Sequence, residues 1–282
     1  MSDWQIPKIP LGQWIEAAIA WLVTNLSAVT SAASRGTEAA VDGITGFLLF
    51  YPAPMMVLVF TFVAWWITRR LQFSAFTLLG LGLAWNLGLW EALVYTLALV
   101  VLATALSVAI GVPLGILAAI SRTFHKVILP VLDFMQTLPP FVYLIPAIAL
   151  FGLGATSAEF ATVIFAIPPA IRLTTLGIRQ VPPELVEAAD AFGSTTWQRL
   201  FKLQIPLAGQ SIRQGVNQTI MLSLSMVVIA AMIGAKGLGG EVWRAIQRND
   251  VGLGFEAGIC IVILAIILDR VIQAAGESRG GQ

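Results

Sequence analysis

The sequence has few of the residues from which metal sites and covalent cross-links are built. Its 282 residues include one cysteine (Cys260) and one histidine (His125). A disulfide framework is therefore excluded, and a metal site built by the protein is not expected. Charged residues make up only 11% of the chain, whereas an average soluble domain has about 25%. The net charge is +1 without a basic run, so nothing indicates binding of nucleic acid.

Apolar sequence is what the chain has in abundance, with 58% hydrophobic residues and a mean hydropathy of +0.87. The apolar residues form long helical runs rather than alternating patterns, which indicates a membrane helix bundle and not a barrel. Because a helix needs about 20 apolar residues to cross a bilayer, we predict an all-α integral membrane protein with about seven transmembrane helices. The predicted spans are 47–68, 73–90, 92–120, 127–151, 158–178, 212–234 and 255–275.

The N-terminal residues differ from the spans. Residues 11–26 place their apolar side chains on one helical face, and Trp14 and Trp21 are of the type that prefers a membrane interface. We interpret this segment as an amphipathic helix lying on the bilayer; a helix packed on the bundle is the open alternative. Residues 27–45 are predicted to be a polar connector. The predicted domains are thus an N-terminal region (1–46), accessory helices (47–90), a core (91–275) and a tail (276–282).

The basic residues favour one side of the membrane. With seven spans, one side receives Arg69, Arg70, Arg122, Lys126, Arg179, Arg199, Lys202 and Arg279. The other side receives Lys8, Arg35, Lys236, Arg244 and Arg248. Since cytoplasmic loops are enriched in Lys and Arg, we expect a multi-pass protein of the cytoplasmic membrane. Its N-terminal region would be periplasmic and its C-terminus cytoplasmic.

A polar stretch in the second half of the chain predicts a pair of short helices. Pro183 suits a first helical position, and Gly193 lies where a left-handed residue would end that helix. Either Ser194 or Thr195 can cap a second helix, which Pro206 follows. The apolar face of such a pair is too small to form its own core, so we expect it to bind a partner.

This stretch carries a recognisable motif. Glu187-Ala188-Ala189, then Gly193, then Leu203-Gln204-Ile205-Pro206, resembles the EAA loop of ABC-importer permeases, with Leu and Ile exchanged at the end. The resemblance implies that residues 179–211 form a cytoplasmic coupling loop that docks on an ATPase. The coupling residues that it implies are Glu187, Ala188, Ala189, Gly193, Trp197 and Pro206.

Other stretches indicate which group of ABC-importer permeases the chain resembles. Residues 136–152, 165–193, 215–239 and 258–270 are similar to permeases for glycine betaine, proline betaine and choline. This implies a type I ABC importer of the bacterial inner membrane, with a homodimer of permeases, two ATPase subunits, an external solute-binding protein and a quaternary-amine substrate. The chain has no Walker A motif. We therefore expect no enzymatic activity and no cofactor in this chain, with ATP and Mg²⁺ bound by the partner ATPase.

A substrate path is predicted between spans four and six. Prolines interrupt span four, and Phe141 and Tyr143 follow two of them directly. A quaternary ammonium ion has no N–H group, so aromatic faces are its natural partners, and one of these two side chains is a candidate. Asn217, Gln218 and Ser225 would supply a polar wall. Two alternatives remain open. The aromatics could be core packing or interface anchors, and the polar groups could form helix–helix contacts.

Two other transport mechanisms compete with this interpretation. An ion-coupled secondary transporter would need acids within the membrane and usually internal repeats; Asp133 in span four is the candidate acid, and no clear repeat is visible. This side chain could equally pair locally near the cytoplasmic interface. An osmotically gated channel would need no ATPase. The EAA-like loop counts against both mechanisms.

A glycine-rich segment, residues 234–240, lacks the spacing of a phosphate-binding loop. We predict a turn on the outer side there, followed by a short amphipathic surface helix over 241–248.

Overall fold

A computed structural model describes residues 10–277. The first nine residues of the predicted N-terminal region and residues 278–282 of the predicted tail lie outside the described part. Within residues 10–277 every regular element is a helix, and no strand occurs. The all-α class is therefore confirmed.

Four helices form the N-terminal third: α1 (Leu11–Asn25), α2 (Ser27–Phe50), α3 (Ala53–Thr68) and α4 (Leu71–Asn86). The first two meet at an angle of 75°. The prediction of a polar connector over 27–45 is wrong, because these residues are helical. Val41, Thr45 and Leu48 recur at helical spacing and are buried against the bundle. This tertiary packing stabilises a helix whose sequence is rich in small and polar residues.

The predicted span 47–68 is also not one helix. Tyr51 is extended, with φ −92° and ψ 148°, because the proline that follows it disfavours helical backbone. The chain therefore breaks between α2 and α3. Helices α3 and α4 have 16 residues each, which makes each about 24 Å long. They follow each other with Arg69 in a left-handed turn. The predicted span 73–90 ends early, at Asn86.

The remaining helices form the bundle. They are α5 (Trp90–Ile120), α6 (Arg122–Thr137), α7 (Leu144–Phe151), α8 (Ala155–Arg179), α9 (Pro183–Ala191), α10 (Thr196–Arg199), α11 (Ile205–Leu207), α12 (Gly209–Ala230), α13 (Leu238–Arg248) and α14 (Val251–Glu277). Short 3₁₀ segments at Pro140–Tyr143 and Ala231–Ile233 and a π-helical turn at Leu200–Gln204 complete the described elements.

Helices α5, α8 and α12 form the centre of the bundle through small residues. A Cβ added to Gly111 would lie 2.7 Å from the Cβ of Ala170. The hydroxyl of Ser107 donates a hydrogen bond to the carbonyl of Val163 over 3.1 Å. Since lipid gives no hydrophobic drive for helix association, such close backbone approach is the usual way for membrane helices to pack.

Four helices are long and apolar enough to cross a membrane: α5, α8, α12 with its 3₁₀ extension, and α14. The number rises to six if each of two bent helix pairs counts as one span. One such pair is the predicted span 127–151, where α6 and the segment Pro140–Phe151 meet at 110°. The predicted interruption by prolines is thus confirmed, since Leu138 before Pro139 is extended. The predicted total of seven membrane-spanning helices is not reproduced.

Helix α13 begins earlier and lies deeper than predicted. It starts at Leu238, and the backbone N–H of this residue donates to the hydroxyl of Thr96 on α5 over 2.8 Å. Leu238 is fully buried. The glycines before it provide the predicted turn, with φ +95° at Gly234 and +124° at Gly237. The helix is therefore part of the bundle and not only a surface element.

Candidate functional site

The helix pair after α8 has the predicted break at Gly193. This glycine has φ +78°, a left-handed conformation that costs other residues energy. Its N–H donates to the carbonyl of Asp190 and the N–H of Ser194 donates to that of Ala189, both over 3.0 Å. These bonds terminate α9 and direct the chain back towards the bundle.

Thr195, and not Ser194, caps the second helix of the pair. Its hydroxyl accepts a hydrogen bond from the N–H of Gln198, and its own N–H donates to the side-chain oxygen of Gln198. This reciprocal arrangement satisfies two of the free N–H groups at the start of α10.

A small apolar core attaches the pair to the bundle. The buried side chain of Leu200 packs with Ile178 at the end of α8 and Ala208 before α12. A Cβ added to Gly177 would lie 2.6 Å from the Cβ of Ser211, so these two helices touch directly beneath the pair. Because the anchor consists of a few residues only, most of the pair projects from the bundle.

The projecting surface of the pair is apolar to an unusual degree. Phe192 is 92% exposed and Trp197 is 66% exposed. The ring of Trp197 stacks on that of Phe201, with 5.7 Å between the ring centroids and 17° between the planes. A concave surface of about 550 Å³ lies beside them, lined by residues of both helices including Ala188, Ala189, Phe192, Gly193, Gln198 and Lys202. Exposed apolar patches of this kind mark interaction sites.

Of the predicted coupling residues, Ala188, Ala189 and Gly193 line this concave surface. Glu187, Ala188, Gly193, Trp197 and Pro206 are exposed, and Ala189 is half-buried. Phe192 and Phe201 were not predicted as coupling residues. They could have been recognised in the sequence as large aromatic side chains within the most polar stretch of the chain.

The two aromatic candidates for the substrate path have different environments. Tyr143 is only 8% exposed; its hydroxyl donates to the carbonyl of Met135 and its ring meets that of Phe165 edge to face at 5.7 Å. Phe141 is 51% exposed. Tyr143 therefore packs within the chain, and Phe141 is the aromatic that remains accessible.

Helix α12, which carries the polar candidates, contacts the 3₁₀ segment that carries these aromatics. Gln218 and Ser225 are exposed, and Asn217 is half-buried with an amide oxygen that has no partner among the described residues. Ser225 donates within its own helix, to the carbonyl of Met221. The structure therefore places the two elements side by side, with one face of α12 uncovered by this chain.

Two acids in the bundle have opposite environments. Asp133 on α6 forms an ion pair with Arg172 on α8, which agrees with the alternative that it pairs locally. Glu159 on α8 is only 2% exposed, and neither carboxylate oxygen has a partner in residues 10–277. Sequence reasoning missed Glu159, although its position inside the predicted span 158–178 was a visible signal. Across the described residues, no group of three His, Cys, Asp or Glu residues is placed to hold a metal ion.

Residues 111–277 match the family described as binding-protein-dependent transport system inner membrane component. The chain belongs to this family. The matched part of this permease runs from the middle of α5 to α14 and includes the whole helix pair. As a member, the chain is the transport subunit of an ABC importer and not an enzyme. It is a multi-pass protein of the inner membrane whose partners include an ATPase and a solute-binding protein.

Relatives match nearly the whole permease. It is 48% identical to the glycine betaine transport system permease protein OpuAB of Bacillus subtilis (strain 168), over 98% of this chain and 99% of the relative. It is 47% identical to the glycine betaine/proline betaine transport system permease protein ProW of Escherichia coli (strain K12), over 97% and 78% respectively.

A solved structure has the same fold. The MetNI methionine ABC transporter in an inward-facing conformation aligns with a TM-score of 0.58 and 22% sequence identity, over 67% of this permease and 93% of the solved chain. The permease thus has the type I ABC importer permease fold that the resemblance implied.

Proposed function

We propose that this permease translocates glycine betaine or a related quaternary amine, delivered by an external binding protein and driven by ATP hydrolysis in a separate subunit. The observation that carries the proposal is the 48% identity over 98% of the chain with a permease named for glycine betaine. Other relatives are named for carnitine, proline betaine and trimethylamine N-oxide. These molecules share a fully substituted, positively charged nitrogen without an N–H group.

Coupling to the ATPase would pass through the helix pair. Its exposed aromatic residues, Phe192 and Trp197, would enter a groove of the ATPase, and the exposed carboxylate of Glu187 would contribute charge at the same surface. Two permease copies would pair with two ATPase subunits, which bind ATP and Mg²⁺. The small apolar core around Leu200, which attaches the pair to the bundle, would transmit movement of the pair to α8 and α12.

The substrate path would run along the uncovered face of α12. In a homodimer this face would meet its symmetry mate, so that Gln218 and Ser225 line the path from both sides. Phe141, which is accessible beside α12, would meet the ammonium group with a contact worth about 0.5–2 kcal/mol. Weak contacts suit a transporter because the cargo must leave again. Tyr143 would hold the 3₁₀ segment in place, and the half-buried amide of Asn217 would add to the polar wall beside Gln218.

We further propose an external N-terminal region and a cytoplasmic C-terminus. The helix pair and the end of α14 lie at the same end of the bundle, since Gln273 lines one cleft with Gln210 and Arg213. The hydroxyl of Thr156, at the opposite end of α8, lies 3.5 Å from the carboxylate of Glu38 on α2. This contact supports an N-terminal region at the end of the bundle opposite the helix pair, which is the outer end in the proposed orientation.

Uptake into proteoliposomes tests the proposed function. The permease would be reconstituted with its ATPase and binding protein, and uptake of labelled glycine betaine, choline and carnitine would be measured with ATP inside the vesicles. We expect uptake that needs the binding protein and is blocked by vanadate. Uptake that collapses with ionophores would indicate ion coupling instead. Passive equilibration without ATP would indicate a channel.

A further inference from the structure

A cleft outside the proposed transport path lies between the α3–α4 turn and the end of α14. Its volume is about 350 Å³, and it is lined by Thr68, Arg70, Gln72, Phe73, Arg270 and Gln273. Two arginines, Arg70 and Arg270, thus line one cleft from elements that are about 200 positions apart in sequence. The transport function does not require this cleft.

The charge in the cleft is unbalanced. No acid lines it, and neither Arg70 nor Arg270 forms a salt bridge with any described residue. The carboxylate of Asp269, which precedes Arg270 on α14, accepts a hydrogen bond from the amide of Gln273 over 2.7 Å. The planar guanidinium group of an arginine can bind a phosphate with two parallel hydrogen bonds. A phosphate group between the two arginines would therefore relieve their repulsion and use their donors.

The depth of the cleft matches the headgroup layer of the membrane. Trp65 and Trp66, just before the α3–α4 turn, are exposed, as expected for side chains at a membrane interface. The guanidinium of Arg69 lies 5.4 Å from the centre of the Trp65 ring. Gln273 also borders the start of α12, directly after the helix pair, so the cleft lies at the end of the bundle that is cytoplasmic in the proposed orientation.

Rows of exposed apolar side chains, called apolar stripes below, extend from the cleft along α4 and α14. On α14, Val262 and Ile266 are exposed and precede Arg270 at steps of four, on one helical face. On α4, exposed Leu79 and Leu83 follow Gln72 on one face in the same way. The two helices pack directly, because a Cβ on Gly80 would lie 2.6 Å from Ile263. A molecule with a charged head and long apolar chains fits this arrangement, whereas a free anion would use the cleft alone.

We propose that the cleft binds the headgroup of an anionic phospholipid from the cytoplasmic leaflet. Arg70 and Arg270 hold its phosphate, and its acyl chains lie along the stripes of α4 and α14. The inference rests on the orientation proposed above, and it is independent of the transported substrate.

Native mass spectrometry of the full importer, purified from nanodiscs with equal amounts of phosphatidylglycerol and phosphatidylcholine, tests the proposal. We expect the wild type to retain phosphatidylglycerol selectively. Retention should fall about tenfold in the Arg70→Gln/Arg270→Gln variant. Arg70→Lys/Arg270→Lys keeps both positive charges but loses the planar guanidinium groups that donate two parallel hydrogen bonds. This variant should retain an intermediate amount of phosphatidylglycerol. Millimolar inorganic phosphate should not displace the lipid.

The matched control is Arg244→Gln/Arg248→Gln, which removes the same number of charges from α13 at the other end of the bundle. This variant should retain phosphatidylglycerol like the wild type. Equal retention of both lipids, or equal loss in the control and the test variant, would overturn the proposal. Displacement by inorganic phosphate would overturn the lipid as occupant and leave a free-anion site.

Discussion

Arg199 joins the two short helices of the coupling pair through Asp190. One guanidinium nitrogen lies 2.7 Å and 2.6 Å from the two carboxylate oxygens of Asp190. The acid belongs to the last turn of α9 and the arginine to the end of α10. The ion pair therefore fixes the angle between the helices and orients the exposed aromatic side chains of the pair.

Arg199→Gln should loosen the pair without unfolding the bundle. The ion pair is partly exposed, so its loss should change stability by no more than about 1 kcal/mol. Transport should fall several-fold, because the docking surface is no longer held in one arrangement. Uptake and co-purification with the ATPase measure the effect. The swapped variant Asp190→Arg/Arg199→Asp should recover part of the activity, and no recovery would contradict a role for the pair itself.

Gly193 should tolerate Asn and reject β-branched residues. A left-handed conformation costs an L-residue about 1–2 kcal/mol, and Asn adopts it more readily than Val. No atom lies within 4 Å of a Cβ added there, so in the free chain the backbone conformation alone decides. Gly193→Asn should associate with the ATPase almost normally, and Gly193→Val poorly. If Asn is as harmful as Val, the partner must approach this position closely.

Phe192→Ala and Trp197→Ala should abolish most coupling. These side chains are 92% and 66% exposed, so their removal should hardly change the thermal stability of the permease. Central aromatic anchors typically cost 2 kcal/mol or more when truncated, which is roughly 30-fold in affinity. Binding of the purified ATPase measures this loss. As a control, Phe50→Ala removes another exposed aromatic side chain, at the end of α2, and should bind the ATPase normally.

Phe141→Leu and Tyr143→Leu should affect different properties. The first removes an accessible aromatic face and should reduce uptake while thermal stability is retained. The second removes a buried ring and a hydrogen bond to Met135, so it should destabilise the permease by about 2–4 kcal/mol. Uptake kinetics and thermal unfolding separate the two. Normal uptake over the full substrate range in Phe141→Leu would exclude this residue from the path.

Glu159→Gln should be tolerated, whereas Glu159→Lys should not. The amide has the shape of the buried carboxyl group and no charge. The lysine would place a long charged side chain inside the bundle, which costs about 3 kcal/mol in a membrane helix. Yields of inserted protein and melting temperatures test the difference, with exposed Glu184→Lys as the control. Loss of uptake in a stable Glu159→Gln protein would show that the carboxyl group takes part in transport.

Features that depend on residues close together in the sequence could be predicted from it. The break at Gly193 follows from an amphipathic run with a glycine at its end, and the interruption of span four follows from its prolines. Membrane location follows from composition. The choice of Thr195 over Ser194 as the cap could not be predicted, because both side chains suit the position and only the chain direction after Gly193 separates them.

The sequence by itself determined that this protein is a membrane helix bundle with a projecting helix pair, because periodicity, prolines and caps act over a few residues. The tertiary structure decided which side chains are covered. Residues 27–45 are helical because Val41 and Leu48 find partners in the bundle. Tyr143 is buried because Phe165 lies beside it. Leu238 is buried where it binds Thr96, 142 residues earlier. Such contacts join distant parts of the chain, and no local pattern records them.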